Sequence, residues 1–487
     1  MENTLIRTQY GEVQGVRQDG AVIWRGIPFA EPPVGDLRFQ PPRPPQPWQE
    51  PRDATQFGPV CEQPDSELEQ SFPAHVRPVK SEDCLYLNIW ASDRSTPNRP
   101  VMVWIHGGAF VTGAGSLPFY DGTSFAVNGD MIIVTINYRL GPFGFLDLSS
   151  YNMPESANLG LQDQIAALNW VRSNIAAFGG DPERITIFGE SAGAMSVGAL
   201  LTMPAAKGLF RSAIMQSGAS QVLPPSTARG ITEAMIRLLG GQAGDPSVLM
   251  EASSQQLLQA ASRLHEDGEA SLLTLPFQPV LHAQTLPVEP VRAIREGAAK
   301  GIALMIGTNQ DEGRLFINDS KHMMNKQQAA QALEAMTGQD IALLLERYPE
   351  TVEGQAQILT DLFFWRAAIQ YAEAQLPYAP VWMYRFDWNQ PGHAFYGTAT
   401  HATEIPFVFN NAVMLERSGV KLDELTANLA HRMQQAWITF AHTSTPTTLE
   451  IPWTDYNKKD RTTIIFNRQL ELVHDPDREK RLALIGD

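Results

Sequence analysis

The spacing of apolar and polar positions changes character near residue 84. Before about residue 60, short alternating runs such as GEVQGV and GAVIW predict small antiparallel strands. The prolines of IPFAEPPVGDLRFQPPRPPQPW then force extended, non-helical backbone. We read this stretch as a structured surface wrap rather than as a PxxP peptide ligand. Beyond residue 84, continuous apolar runs end in polar or Gly-rich loops: LYLNIWA, VMVWIHGG, DMIIVTINYRLG, ERITIF and LFRSAIMQSGA. Between them, LGLQDQIAALNWVRSNIAAFG has helical spacing and runs into Gly179–Gly180, a stop signal, and AGAMSVGALLTMP reads as a second helix.

Strands apolar on both faces, alternating with helices, predict a largely parallel sheet covered on both sides. The strand pattern pauses over residues 223–300, which are polar and helix-like, and resumes at GIALMIGTNQDEG. Residues 325–378 read as helical again, APVWMYRFDWN as a late strand, and RTTIIFN and LELVHD as short closing strands. The expectation is an α/β fold forming a single domain over residues 1–487. It has a central, mostly parallel sheet, two helical insertions and a small N-terminal β region.

With 487 residues, 43% of them hydrophobic, the chain can bury a large core. A formal net charge of −16 argues against nucleic acid or an anionic membrane surface as partner. No stretch approaches 18 uninterrupted apolar residues, and the N-terminal segment lacks a basic region followed by an apolar one. The expectation is a soluble cytoplasmic protein, a monomer or weak oligomer. Two cysteines, Cys61 and Cys84, are too few for a zinc ribbon, and without an export signal they are expected to stay reduced.

The candidate chemistry starts at GESAG, residues 189–193, because the pentad stands between a predicted strand and a predicted helix. A serine on such a turn projects above the sheet edge, and glycines flank it where strand and helix backbones crowd. The helix that follows aims its N-terminus at the serine and favours the negative charge that develops during reaction. Ser191 is therefore the candidate nucleophile. A serine hydroxyl needs a base, and the base needs an acid to orient it.

On sheets of this kind the acid follows the nucleophile in sequence and the base follows the acid. Asp311 and Glu312 both lie just past a late strand, and spacing does not choose between them. His401, among the small residues of GTATHATEIPF, is the favoured base, with His393 the alternative. The oxyanion requires backbone N–H donors fixed before reaction. His106-Gly107-Gly108-Ala109 after the strand VMVWI, together with Ala192, can supply them. His106 precedes the nucleophile and is expected to stabilise its loop. No HExxH motif occurs, and His401 with Glu404 is an isolated pair, so no metal is expected.

The blocks GIPFAEPPVGDLRF, SEDCLYLNIW, WIHGGAF and NYRLGPFGFL resemble the type-B carboxylesterases of the α/β-hydrolase fold. The resemblance continues through NLGLQDQIAALNWVRSNIAAFGGDPERITIFGESAG, DEG and HATEIPFVF, and within that family the bacterial esterases resemble the chain most. It implies Ser191 as nucleophile, Glu312 as acid and His401 as base. It implies an oxyanion hole from the amides of Gly108, Ala109 and Ala192, with Ala109 standing where cholinesterases commonly carry a third glycine. Cys61 and Cys84 match a disulfide pair of the secreted relatives.

The implied activity is cofactor-free hydrolysis of small-molecule esters, short-to-medium in acyl chain or carrying an aromatic alcohol, through an acyl-serine. Retention of serine, acid and histidine argues against the adhesion role of relatives that have lost the nucleophile. Phe110, Phe277, Phe363, Phe364 and Trp365 are read chiefly as core, and Glu190 as a neighbour of the nucleophile able to tune charge preference.

Overall fold

The computed structural model describes residues 4–66, 77–94, 96–219, 221–266, 275–323 and 345–485. The backbone forms two compact units. Among the described residues, one comprises those up to 211 and those within 222–266 and 275–290; the other comprises those within 212–221 and those from 291 to 485.

In the first unit, β1 (Leu5–Arg7), β2 (Glu12–Gln14) and a two-residue β5 (Arg52–Asp53) make the small N-terminal sheet. The larger sheet runs in the order β3 (Val16–Gln18), β4 (Ala21–Pro28), β6 (Tyr86–Ser92), β8 (Ile132–Ile136), β7 (Arg99–Ile105), β9 (Gly180–Glu190). Pairing is antiparallel from β3 to β8 and parallel across β8, β7 and β9. Every residue of β7 and β8 is buried, which is why both are dominated by apolar residues on both faces.

The register aligns Ile105 at the end of β7 with Gly189 near the end of β9. The loops that leave these two strands therefore emerge side by side at the carboxyl edge, where ligands bind on open α/β sheets. Helix α1 (Leu159–Asn174) continues as a 3₁₀ turn to Phe178 and stops at Gly179, whose φ is +85°. Helix α2 (Ala192–Leu200) leaves directly from Ser191.

Asp163 on α1 accepts hydrogen bonds from Arg139 Nε at 2.8 Å and Nη2 at 2.7 Å, and from the Arg139 backbone N–H at 3.0 Å. The pair is buried and ties α1 to the chain leaving β8. Cys61 and Cys84 are free buried thiols. The hydrogen bond from Cys84 to Cys61 and the burial of the pair push the Cys84 thiol well up. The stretch 223–290 is helical in pieces, with α3 (Pro225–Leu238) and α4 (Ser254–Glu266) the longest.

In the second unit, β10 (Ser212–Gln216), β11 (Ala303–Asn309), β12 (Val381–Phe386) and β13 (Thr462–Phe466) run parallel, and β14 (Leu470–His474) returns antiparallel on β13. Residues 325–344 of the second expected insertion lie outside the described residues. The rest of it is α5 (Val352–Ile358), a π-helical turn over Leu359–Trp365, and α6 (Arg366–Gln375). The sequence pattern shows only helical spacing there. The wider turn is what the structure adds, and such turns collect at functional sites. This unit also carries helix α7 (Glu424–Thr443) and the short α8 (Arg478–Leu484).

Candidate active site

Ser191 stands between β9 and α2 with φ 56° and ψ −124°, a backbone conformation that an L residue holds only when its surroundings impose it. The imposition is visible in the neighbours. A methyl group on Gly193 would lie 2.0 Å from the Ile105 carbonyl oxygen, and one on Gly189 would lie 2.6 Å from the same oxygen. Strand and helix are pressed together where both glycines sit, so the chain between them must turn sharply outward. Ser191 remains half-buried, while Gly189 and Glu190 before it and Ala192 after it are buried.

The loop leaving β7 lies against this turn. A methyl group on Gly107 would come within 2.8 Å of Glu190 O and Oε2 and 3.0 Å of Ser191 Cβ. Gly108, Ala109 and Phe110 follow with φ of 109°, 55° and 61°. Val111 and Thr112 N–H both donate to Gly108 O, at 3.0 and 2.9 Å. Among the described residues, no acceptor takes the backbone N–H of Gly108 or Ala109. Ala192 is the first residue of α2, where a helix provides no partner for the N–H. These three amides are the oxyanion donors expected from sequence, and all belong to the unit that carries Ser191.

His106 orients the first of them. Its Nδ1 lies 2.8 Å from Gly107 O, and because a carbonyl oxygen only accepts, Nδ1 carries the proton. In a trans peptide the N–H points opposite the C=O, so this bond turns the Gly108 N–H away from His106. The ring stacks on Tyr138 at 4.4 Å, and the Tyr138 hydroxyl donates to His106 O at 2.7 Å. Burial holds the imidazole pKa down at about 4, so the ring is neutral at neutral pH. The loop-stabilising role expected of His106 is the one these contacts describe.

In the second unit, His401 Nδ1–H donates to Glu312 Oε2 at 2.7 Å. Glu312 Oε1 accepts from the Asn309 backbone N–H at 2.7 Å. Glu312 is fully buried and His401 nearly so. With Nδ1 protonated toward the carboxylate, Nε2 is the basic nitrogen of the neutral ring. Asp311, the alternative acid, directs its backbone N–H to Ala399 O, and its burial raises its carboxyl pKa. His393, the alternative base, uses both ring nitrogens in its own loop. Nδ1 accepts from Phe395 and Tyr396 N–H, and Nε2 meets Ser418 O at 2.8 Å.

Several supports of this pair carry no sequence motif. Glu404, fully buried, accepts from Gln216 Nε2 at 3.0 Å and from Asn309 Nδ2 at 2.7 Å. Gln216 Oε1 accepts from Trp437 Nε1 at 3.0 Å, and Asn309 Nδ2 also donates to Thr400 O. The loop bearing His401 is thus tied to the ends of β10 and β11. Burial and the neighbouring Glu312 raise the Glu404 pKa.

Thr360, on the π-helical turn, accepts from Gly313 N–H at 3.0 Å and so braces the residue after Glu312. Phe364 from the same turn and Phe316 lie 4.8 and 5.2 Å from the His401 ring. Phe316 was absent from the aromatic residues singled out by sequence; of those that were, Phe364 packs on the catalytic candidate, and Phe110 packs on Phe145 at 4.7 Å. Among the described residues there is no His, Cys, Asp and Glu group able to hold a metal ion, and no helix long and apolar enough to cross a membrane.

Residues 2–485 match the profile of the carboxylesterase family. The chain is 49% identical to the para-nitrobenzyl esterase of Bacillus subtilis (strain 168) over 486 residues, 99% of each protein. It is 36% identical to the phenmedipham hydrolase of Pseudarthrobacter oxydans over 482 residues, 95% of this chain and 94% of that one. Among solved structures, a thermophilic PNB esterase superposes with a TM-score of 0.96 at 47% identity, covering 99% of this chain and all of the other. The chain belongs to the carboxylesterase family, and it has the α/β-hydrolase fold.

Proposed function

We propose that this carboxylic ester hydrolase works by two-step acyl transfer, with Ser191 as nucleophile, His401 as base and Glu312 as acid, the two units acting as one hydrolase domain. The observation that carries the reading is the Ser191 elbow, flanked by three backbone N–H groups without an acceptor among the described residues. His401 Nε2 takes the Ser191 proton as Oγ attacks the ester carbonyl. Gly108, Ala109 and Ala192 N–H hold the oxyanion, a class of contact worth about 3 kcal/mol per donor. The imidazolium then protonates the departing alcohol, and water repeats the cycle on the acyl-enzyme. Glu312 keeps the ring in the tautomer that leaves Nε2 basic and stabilises its charged form.

The preferred substrates are small esters with a short-to-medium acyl chain or an aromatic alcohol. Phe316 and Phe364 beside His401 support an aromatic leaving group, as does the name of the Bacillus relative. No cofactor enters the mechanism, and the enzyme acts in the cytoplasm as a monomer or weak oligomer. Hydrolysis of para-nitrobenzyl and para-nitrophenyl acetates by S191A and E312Q tests the assignment. S191A is expected to show no turnover, and E312Q a loss on the order of 10⁴ in kcat, the cost of the wrong imidazole tautomer. Turnover by S191A at the wild-type rate would refute it.

A further inference from the structure

We propose that Gln63 is a positioning residue for ester hydrolysis: by clamping both polar groups of Gly113, it holds the Gly107–Thr112 loop in its oxyanion-binding shape. The inference rests on the reading of Gly108 and Ala109 as oxyanion donors.

Gln63 is 2% exposed and reaches the loop from fifty residues earlier in the chain. Its Oε1 accepts from Gly113 N–H at 2.8 Å, and its Nε2 donates to Gly113 O and to Cys61 O, each at 3.0 Å. A backbone N–H can only donate and a carbonyl can only accept, so all three partners fix the same amide orientation. The segment that carries Gln63 is itself anchored. Val60 N–H donates to Val79 O, Ser81 N–H to Val60 O, and Leu140 N–H to Cys61 Sγ.

Gly113 is coupled to the oxyanion donors by close approach. Its φ is +109°, and a methyl group there would lie 2.5 Å from both Gly107 O and His106 Nδ1. Gly107 C=O and Gly108 N–H belong to one rigid peptide plane, so movement of Gly113 reorients the first oxyanion donor. The loop between cannot hold this shape unaided. Ala109 and Phe110 both sit at positive φ, a conformation that costs non-glycine residues about 1–2 kcal/mol each.

Its near end is fixed by Tyr138 and His106, and its middle by Gly141 N–H donating to Phe110 O at 2.7 Å. Gln63 fixes the far end. Without the amide, the half-buried Gly113 N–H and C=O lose their partner, and the loop is free to relax toward ordinary φ values.

The test uses the full-length Q63M enzyme, which keeps side-chain length but removes donor and acceptor. Three readouts are taken: kcat and KM for para-nitrobenzyl acetate, the inhibition constant of an aryl trifluoromethyl ketone, and the end-point fraction of Ser191 labelled by an organophosphate. The ketone presents a tetrahedral oxyanion once Ser191 adds to it, so it reports the hole directly. The expected result is a fall in kcat of at least about tenfold, an equal rise in the ketone constant, KM within about twofold, and complete labelling.

Complete labelling with kcat and ketone affinity within twofold of wild type would overturn the proposal. So would a fall in activity that merely follows a reduced labelled fraction, because that is a folding defect. Where Q63M does not fold, Q63E retains the volume and the acceptor for Gly113 N–H but turns an oxygen toward two carbonyls. The same losses are expected of it, and their absence overturns the proposal equally. Failure of the underlying reading is separate: it shows as wild-type turnover by S191A, whatever Gln63 does.

Discussion

His106 gives the sharpest quantitative expectation because one buried group is held far from its solution pKa. The ring is fully buried, and burial lowers its pKa from 6.5 to about 4. In the unfolded chain the same imidazole takes a proton near pH 6.5. As pH falls from 6.5 to 4 the unfolded state therefore binds more protons than the folded one, and stability falls with it. Between pH 7.5 and pH 5, protonation stabilises the unfolded chain by about 2 kcal/mol, while the folded protein gains about 0.1 kcal/mol or less.

All other titrating groups contribute as well, so the measurement is a double difference. Asparagine at position 106 can present Nδ2 to Gly107 O much as histidine presents Nδ1, and it does not titrate. Urea unfolding of wild type and H106N at pH 7.5 and pH 5 gives four stabilities, from which the shared groups cancel. The expected outcome is that wild type loses about 2 kcal/mol more than H106N on going to pH 5. Equal losses to within about 0.5 kcal/mol would refute the claim that His106 stays neutral in the folded protein. The pair also tests the orienting bond: H106N is expected to keep kcat within several-fold of wild type, whereas H106L is expected to lose it.

Two further outcomes follow from close contacts. Replacing Asp163 by Ala leaves the Arg139 guanidinium buried without its counter-ion, and urea unfolding should show a loss of about 3–5 kcal/mol, with Asp163→Asn losing less. Gly193→Ala drives a methyl group into the Ile105 carbonyl and opens the Ser191 turn. Its kcat for para-nitrophenyl acetate should fall by about a hundredfold or more, the scale of a 1 Å misplacement.

Much of the frame was legible because burial writes itself into local pattern. All the strands named from apolar runs are present, and β7, β8 and β10 are buried at every position. The helix predicted to stop at Gly179 does so through a left-handed residue. Boundaries were less exact: β9 begins at Gly180, three residues before the run ERITIF. The elbow was legible because its constraint is backbone crowding, which glycine alone relieves, and glycine positions can be read directly. The π-helical turn at Leu359–Trp365 was not legible, since one extra residue per turn disturbs apolar spacing too little to see.

The supports of the site were hidden for a different reason. Gln63 meets Gly113 across 50 residues, Gln216 meets Glu404 across 188, and Trp437 meets Gln216 across 221. Nothing periodic marks an amide side chain that is destined for such a contact. Glu404 alone left a trace, as a carboxylate heading the apolar run EIPFVF. The choice of amides is itself explicable. Both Gln63 and Gln216 bond to a donor and an acceptor at once, and both are buried. An ionised side chain could meet only one of those demands and would carry the cost of a charge removed from water. A neutral amide meets both, and obligate partners dictate which end faces which way. Directional neutral bonds can therefore fix the backbone of Gly113 and the loop of His401 without placing a further ionised group out of water.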